Sequence, residues 1–141
     1  MDDLDSRLLS QLQSNARESV ANLARLLGVT RPTVQERMRR LERRGIITGY
    51  TVRFHPEHAA RQVQAYVMIS VEPKFQARCT AQLQKIDELQ SLHSISGSYD
   101  LIALFNCETT SQLEKRIDQA AALEGVQSTL TSVVLSEKFS R

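Results

Sequence analysis

Residues 19–44 read SVANLARLLGVTRPTVQERMRRLERR, and this stretch decides the fold of the N-terminal part of the chain. Ser19 stands where a hydroxyl can accept a bond from an orphaned backbone N–H at the start of a helix. Val20, Leu23, Ala24 and Leu27 then recur at helical spacing and define one apolar face. Gly28 follows, the residue that best tolerates the left-handed conformation closing a helix. Thr30 offers a second cap, and Pro32 falls in the first turn of the next helix, where its missing N–H costs little. The spacing predicts two short helices joined by a tight turn, a helix-turn-helix.

The second helix carries the functional signal. Val34, Met38 and Leu41 form its inward stripe, and a turn of about 100° per residue places Thr33, Glu36, Arg39, Arg40 and Arg43 on or near the outward side. Residues 31–44 hold six arginines against Glu36 and Glu42, a local charge of +4. Arginine pairs bidentately with phosphates and with guanine edges, and a helix fits the major groove of B-DNA. A plain solvated face would also explain some of this charge, since Glu36 and Arg40 have the i, i+4 spacing of a surface pair. The preceding helix, the glycine turn and the Thr-Arg-Pro-Thr start favour DNA reading. The expected DNA-binding residues are Thr30, Arg31, Pro32, Thr33, Gln35, Glu36, Arg39, Arg40 and Arg43.

Working outward, residues 2–16 predict a further helix. Asp2, Asp3 and Asp5 crowd its N-terminus, where the helix dipole favours negative charge. Leu4, Leu8, Leu9, Leu12 and Ala16 form its inward face, which completes a three-helix core. Past Gly45, residues 46–54 are rich in β-branched and aromatic types and read as extended, either a small wing or a connecting strand. His55-Pro56-Glu57-His58 breaks that pattern. The expected organisation is a DNA-binding domain over 1–54, a linker over 55–62 and a second domain over 63–141.

Charge separates the same parts. Residues 1–62 contain eleven basic against seven acidic side chains, whereas residues 63–141 contain seven against nine. The second part has no electrostatic reason to touch nucleic acid. No apolar run is long enough to span a bilayer, and the acidic MDDLD start is unlike a secretory signal, so the expected location is the cytoplasm. Cys79 and Cys107 lack metal-ligand spacing and read as buried free thiols. His55 and His58 have no neighbours to complete a ligand set, so neither a metal nor another cofactor is expected.

From Val63 onward the pattern alternates. Val63, Ala65, Val67, Ile69 and Val71 share one face of a strand that Pro73 closes, with Tyr66 and Met68 on the other face. Phe75, Cys79, Leu83 and Ile86 line one face of a helix. Strands over 89–96 and 99–107 follow, the latter with Leu101, Ala103 and Phe105 opposite Ile102 and Leu104. A helix over 111–123 turns Leu113, Ile117, Ala120 and Ala121 inward, is capped by Thr109 or Thr110, and ends at Gly125. A last strand runs over 126–137. The order β-α-β-β-α-β is the split βαβ, or ferredoxin-like, arrangement, which makes the whole chain α+β. Two helices cover only one face of such a sheet. The other face, with Tyr66, Met68, Ile102 and Leu104, predicts a homodimer.

Taken together, the chain resembles the Lrp/AsnC family, the leucine-responsive or feast/famine transcriptional regulators. Residues 4–17 (LDSRLLSQLQSNAR) are similar to that family's first helix, 23–30 (LARLLGVT) to its second, and 34–47 (VQERMRRLERRGII) to its recognition helix and exit. Ser96-Gly97-Ser98-Tyr99-Asp100 resembles its Gly-x-x-Asp turn between the middle strands. The resemblance covers nearly the whole chain. It implies a winged-helix-like DNA-binding domain that binds double-stranded DNA. It also implies a C-terminal domain that dimerises, assembles further and senses a small molecule, usually an amino acid.

In that family the effector sits between subunits, near this turn and the last strand. Gly97, Ser98, Tyr99 and Asp100, with Ser132 and Val133, are therefore the expected effector residues. A carboxylate such as Asp100 can hold an α-ammonium group, and hydroxyls and turn N–H groups can hold an α-carboxylate. A plain hairpin uses the same residues differently, with Gly97 for the turn and Asp100 for a local backbone bond.

The expected function is sequence-specific transcriptional regulation in response to an amino acid or related metabolite. One alternative is an architectural DNA organiser without a specific effector, since non-specific binding uses the same arginines. Another is an enzyme of the same architecture, like the siroheme decarboxylases. The three histidines (55, 58 and 93) are scattered, and no Ser-His-Asp or Cys-His cluster is visible, so no enzyme is expected.

Overall fold

Three polar caps and one glycine set the helices at the start of the chain. In the computed structural model, which describes residues 1–59 and 61–141, α1 spans Asp3–Ser14, α2 Val20–Leu27 and α3 Arg31–Arg43. Asp2, Ser19 and Thr30 accept bonds from the backbone N–H groups of Asp5, Asn22 and Thr33. Each thereby satisfies a donor that the helix itself leaves open. Gly28 closes α2 at φ 69°, in the left-handed region. Leu8, Leu23 and Leu41 are fully buried, and Leu12, Ala24, Leu27 and Val34 complete the core. Burial of each large side chain contributes roughly 1.5–3 kcal/mol. These elements form one compact unit, Met1–Arg53.

Two expectations for this unit are corrected. The first helix stops at Ser14, and Ala16 lies exposed in a turn. Asn15 takes an extended backbone there, and its side chain accepts a bond from the N–H of Arg17 (3.1 Å), a local alternative to continuing the helix. Residues 46–54 form no strand. Their β-branched side chains favour a pleated surface, but no neighbouring strand supplies a ladder. Tyr50 instead donates its hydroxyl to Glu42 (2.9 Å), which lays the segment back towards α3.

The second unit, Phe54–Arg141, begins with a single helical turn, α4 (Pro56–Ala59). The expected linker overlaps this turn, and its Ala60 lies outside the described residues. Then follow β1 (Val63–Val71), a 3₁₀ turn (Pro73–Phe75), α5 (Gln76–Leu83), β2 (Leu89–Ser94), β3 (Leu101–Cys107), α6 (Thr110–Ala121) and β4 (Val126–Val133). The sheet order is β2-β3-β1-β4, with every pair antiparallel. Splitting β1 from β2 by β3, and β3 from β4 by β1, is the ferredoxin-like topology.

Strand alternation sorts the sheet into two faces. Ala65, Val67, Ile69, Leu101, Ala103 and Phe105 are buried on one side, where Cys79, Leu83, Leu113 and Ala120 from α5 and α6 meet them. Both thiols are free and buried. Strands end earlier than the alternating pattern extends: β2 at Ser94, and β4 at Val133 rather than residue 137. The limit is the partner. β4 pairs with β1, which starts at Val63, and the last bond runs from the N–H of Val134 to the carbonyl of Gln64 (2.8 Å). Likewise β3 begins at Leu101 rather than 99, because Asp100 turns its N–H to the carbonyl of Ile69. Thr109, not Thr110, caps α6, and Ala121 is exposed at that helix's last position.

Gly125 turns the chain into β4 at φ 90°. A Cβ there would fall inside the van der Waals envelope of the Phe75 side chain. Because the obstructing atoms include the Cβ of Phe75, rotation about its side chain cannot clear them. Gly125→Ala is expected to cost about 2–4 kcal/mol, from backbone strain and overpacking together. Thermal unfolding monitored by circular dichroism reads this directly.

Candidate nucleic-acid interface and effector region

The outward side of α3 is a polar strip. Thr30, Arg31, Pro32, Gln35, Glu36, Arg39 and Arg43 are exposed, Thr33 is half-buried at the cap, and Val34 and Leu41 point into the core. Thr30 and Thr33 share a hydroxyl–hydroxyl bond of 2.9 Å, which fixes the first turn. Arg43 donates to Glu36 (3.0 Å) between two well-exposed side chains, a pairing that water screens strongly. Among the described residues Arg31 and Arg39 make no side-chain hydrogen bond or ion pair, so both guanidinium groups face solvent unengaged.

Arg37 and Arg40 behave differently. Asp5, one turn from Leu8 and Leu9 on the apolar stripe of α1, is fully buried. Its Oδ1 accepts from Arg37 (3.1 Å) and its Oδ2 from Arg40 Nη2 (2.7 Å). Asp2 completes the cluster: its Oδ2 accepts from Arg37, its Oδ1 from the N–H of Asp5, and its own N–H donates to Asp5 Oδ2. The Glu36–Arg40 pair that a plain solvated face would use is not formed: Glu36 takes Arg43, and Arg40 reaches across to Asp5. A buried carboxylate without a cation would be far more costly than a surface pair is worth, so Asp5 wins the competition. Burial pushes the Asp5 carboxyl up, but the N–H of the Asp2–Asp5 box and the two arginines outweigh it and hold the group below the usual carboxylate range. Arg37 holds Asp2 down to about 2.

That shift fixes the sign of an acid effect. A depressed carboxylate stabilises the folded state above its unfolded value near pH 4, and that contribution is lost as pH falls towards 2. The helical unit is expected to lose stability over this window, and Asp2→Asn to flatten the loss. Circular dichroism melts between pH 5 and 2 provide the comparison.

Asp2 and Asp5, expected as helix-dipole partners, tie α1 to α3. A charge at position 5, sharing a stripe with Leu8, Leu9 and Leu12, was the available sign of a buried counter-ion.

The expected effector residues fall in two places. Gly97 (φ 130°) and Ser98 are exposed at the β2–β3 turn, with Tyr99 and Asp100 half-buried. Asp100 laces this turn to the end of β1: its Oδ2 accepts from the N–H of Val71 (2.9 Å), its N–H donates to Ile69, and its carbonyl accepts from Ile95. Ser132 and Val133 lie opposite Tyr66 and Ala65, near the start of β1. Five residues of strand, roughly 16 Å at about 3.3 Å each, separate Tyr66 from Val71. One chain does not bring the two sets together. Val133 also borders a cleft of about 530 Å³, with Val63, Gln64, Thr110, Leu135 and Glu57.

The uncovered face of the sheet carries two apolar rows. Leu104, Tyr66 and Ser132 are register neighbours across three strands, as are Ile102, Met68 and Leu130. Tyr66 and Leu130 are 45% and 46% exposed, a large fraction for big apolar side chains in a sheet. Among the described residues, no helix is long and apolar enough to cross a membrane.

Comparison with known proteins agrees with both units. Residues 1–42 match the AsnC-type helix-turn-helix domain, and residues 64–141 match the Lrp/AsnC ligand binding domain. The leucine-responsive regulatory protein of Salmonella typhimurium is 31% identical over 141 residues, covering 97% of this chain and 86% of its own. The structure of E. coli AsnC superposes with a TM-score of 0.86 at 28% identity, over 100% of this chain and 96% of that one. A regulator from Neisseria meningitidis, NMB0573, solved as a complex with L-Met, has the same fold. Its TM-score is 0.87 at 23% identity, over 99% of this chain and 93% of its own.

Proposed function

The chain belongs to the Lrp/AsnC family of DNA-binding transcriptional regulators, and from that membership we propose that it is a cytoplasmic, sequence-specific regulator whose occupancy of DNA responds to an amino acid. The family is one of regulators rather than enzymes.

The observation that carries the DNA reading is the exposed strip of α3. Thr30, Arg31, Pro32 and Thr33 at its start, with Gln35, Glu36, Arg39, Arg40 and Arg43 along it, form the reader of the major groove. A second copy covers the apolar rows of the sheet and makes an isologous dimer. Such a dimer offers two recognition helices to half-sites about 34 Å apart, one helical turn, or a multiple of it. Further assembly multiplies contacts along the DNA and raises affinity without new chemistry.

The effector is an amino acid or related metabolite held between subunits. Gly97, Ser98, Tyr99 and Asp100 supply one wall, and Ser132 and Val133 of another copy the other. Their separation within one chain supports a shared site. Asp100 offers its second carboxylate oxygen to an α-ammonium group. The L-Met complex of the Neisseria relative supports an amino acid as the ligand class. Binding at a contact between copies shifts the assembly equilibrium, and with it promoter occupancy.

The test is Arg39→Ala. Loss of one phosphate contact is expected to flatten the plot of log affinity against log salt by about 0.9. Loss of a base contact costs about 1–3 kcal/mol at one position of the site. A variant with unchanged affinity and slope on the selected site contradicts α3 as the reader.

A further inference from the structure

The six arginines of residues 31–44 do not stand in equivalent surroundings. Arg37 has two carboxylate partners, Asp5 on α1 and Asp2 at its N-cap, and only 23% of its side chain is exposed. Arg40 is 39% exposed and is held by one end, through Nη2. Its Nε is buried without a partner. Its Nη1 has no partner among the described residues either, and it is not shut off from solvent.

We propose that Asp5 is a positioning residue for DNA recognition: it holds the Nη2 end of the Arg40 guanidinium and leaves Nη1 for the nucleic acid, while Arg37 supplies the balancing charge and makes no DNA contact. This rests on α3 being the DNA reader.

The physical case is one of pre-organisation. A free arginine has many rotamers, and ordering it on binding consumes part of the interaction energy. A guanidinium already fixed by a fully buried carboxylate meets its target without that loss, because its planar fork has a defined direction. Lysine carries the same charge but no second edge, so it cannot bond Asp5 and aim at DNA in one fixed plane. The cluster of Asp2, Asp5, Arg37 and Arg40 is neutral as a whole. Specificity therefore comes from direction here, and the bulk attraction for phosphates comes from Arg31, Arg39, Arg43 and Arg44.

The full-length protein tests this on its selected duplex and on a scrambled duplex, across a salt series. Arg40→Lys is expected to keep the salt slope within a few tenths while the ratio of specific to non-specific affinity falls at least about tenfold. Asp5→Asn, studied at a temperature where circular dichroism shows it folded, is expected to lower the same ratio with the slope retained. Arg37→Gln is expected to leave slope and ratio unchanged and to lower only the melting temperature. An undiminished ratio in Arg40→Lys overturns the proposal. So does a flattened slope in Arg37→Gln. If Asp5→Asn does not fold, the two arginine variants decide alone. Arg39→Ala run alongside separates the two levels: a loss there with wild-type behaviour in Arg40→Lys removes the role of Asp5 and leaves α3 as the reader.

Discussion

Met68→Glu is expected to leave the chain monomeric. Met68 is the centre of a row that Ile102 and Leu130 complete on the neighbouring strands, in the middle of the face that a second copy covers in the proposed dimer. Two-fold symmetry places two copies of the new carboxylate in one interface. A carboxylate withdrawn from water with no cation nearby costs several kcal/mol. Among the described residues of the four strands, the one basic side chain on the uncovered face is His93, on the edge strand opposite Ile102. A rise in the dimer dissociation constant of at least about a thousandfold, some 4 kcal/mol, follows. Light scattering at micromolar concentration would show a mass near 15.9 kDa, and DNA affinity would fall with the lost avidity, by about 10²–10⁴. A variant that remains dimeric removes this face as the interface.

Phe105→Ala is the largest expected loss of chain stability. Phe105 is fully buried and is the bulkiest side chain with no exposure. It sits in register with Ala65 on one side and Leu89 on the other. The small Ala65 neighbour leaves room for the ring. Such truncations cost about 3–5 kcal/mol, a large part of the 5–15 kcal/mol that holds a domain folded. For a unit of this size the melting temperature should fall by more than about 10 °C. The neighbour Leu104 points to the opposite face. Leu104→Ala is expected to spare the monomer's stability and to weaken the dimer. A differential scanning calorimetry trace and a sedimentation experiment on the two variants separate the effects.

Local chemistry explains how much of this fold could be read before the structure. Ser19, Gly28, Thr30 and Pro32 act within a few residues of themselves, so the helix boundaries they set were legible. The two-residue alternation of Val63–Val71 and Leu101–Cys107 likewise fixes which side chains face the helices, whatever their partners. Strand lengths were not legible. β4 stops where β1 begins, and residues 46–54 have the composition of a strand but no neighbour to pair with. The candidate site divides in the same manner. The exposed residues of α3 follow from helical periodicity alone. The engagement of Arg37 and Arg40 depends on Asp5, more than thirty residues away in sequence. At the β2–β3 turn, the hairpin role of Asp100 is realised through Val71, a partner that no local pattern names. Its second oxygen is what the proposed effector site requires.

The central claim is that this chain reads a defined DNA sequence under the control of a small molecule. Selection of binding sites from a randomised duplex library at fixed salt, with and without a pool of amino acids, tests it most directly. The expected result is an enriched motif of two-fold character with half-sites spaced by whole helical turns, and a change in enrichment when one amino acid is present. Salt-sensitive binding with no enriched sequence in either condition would contradict it.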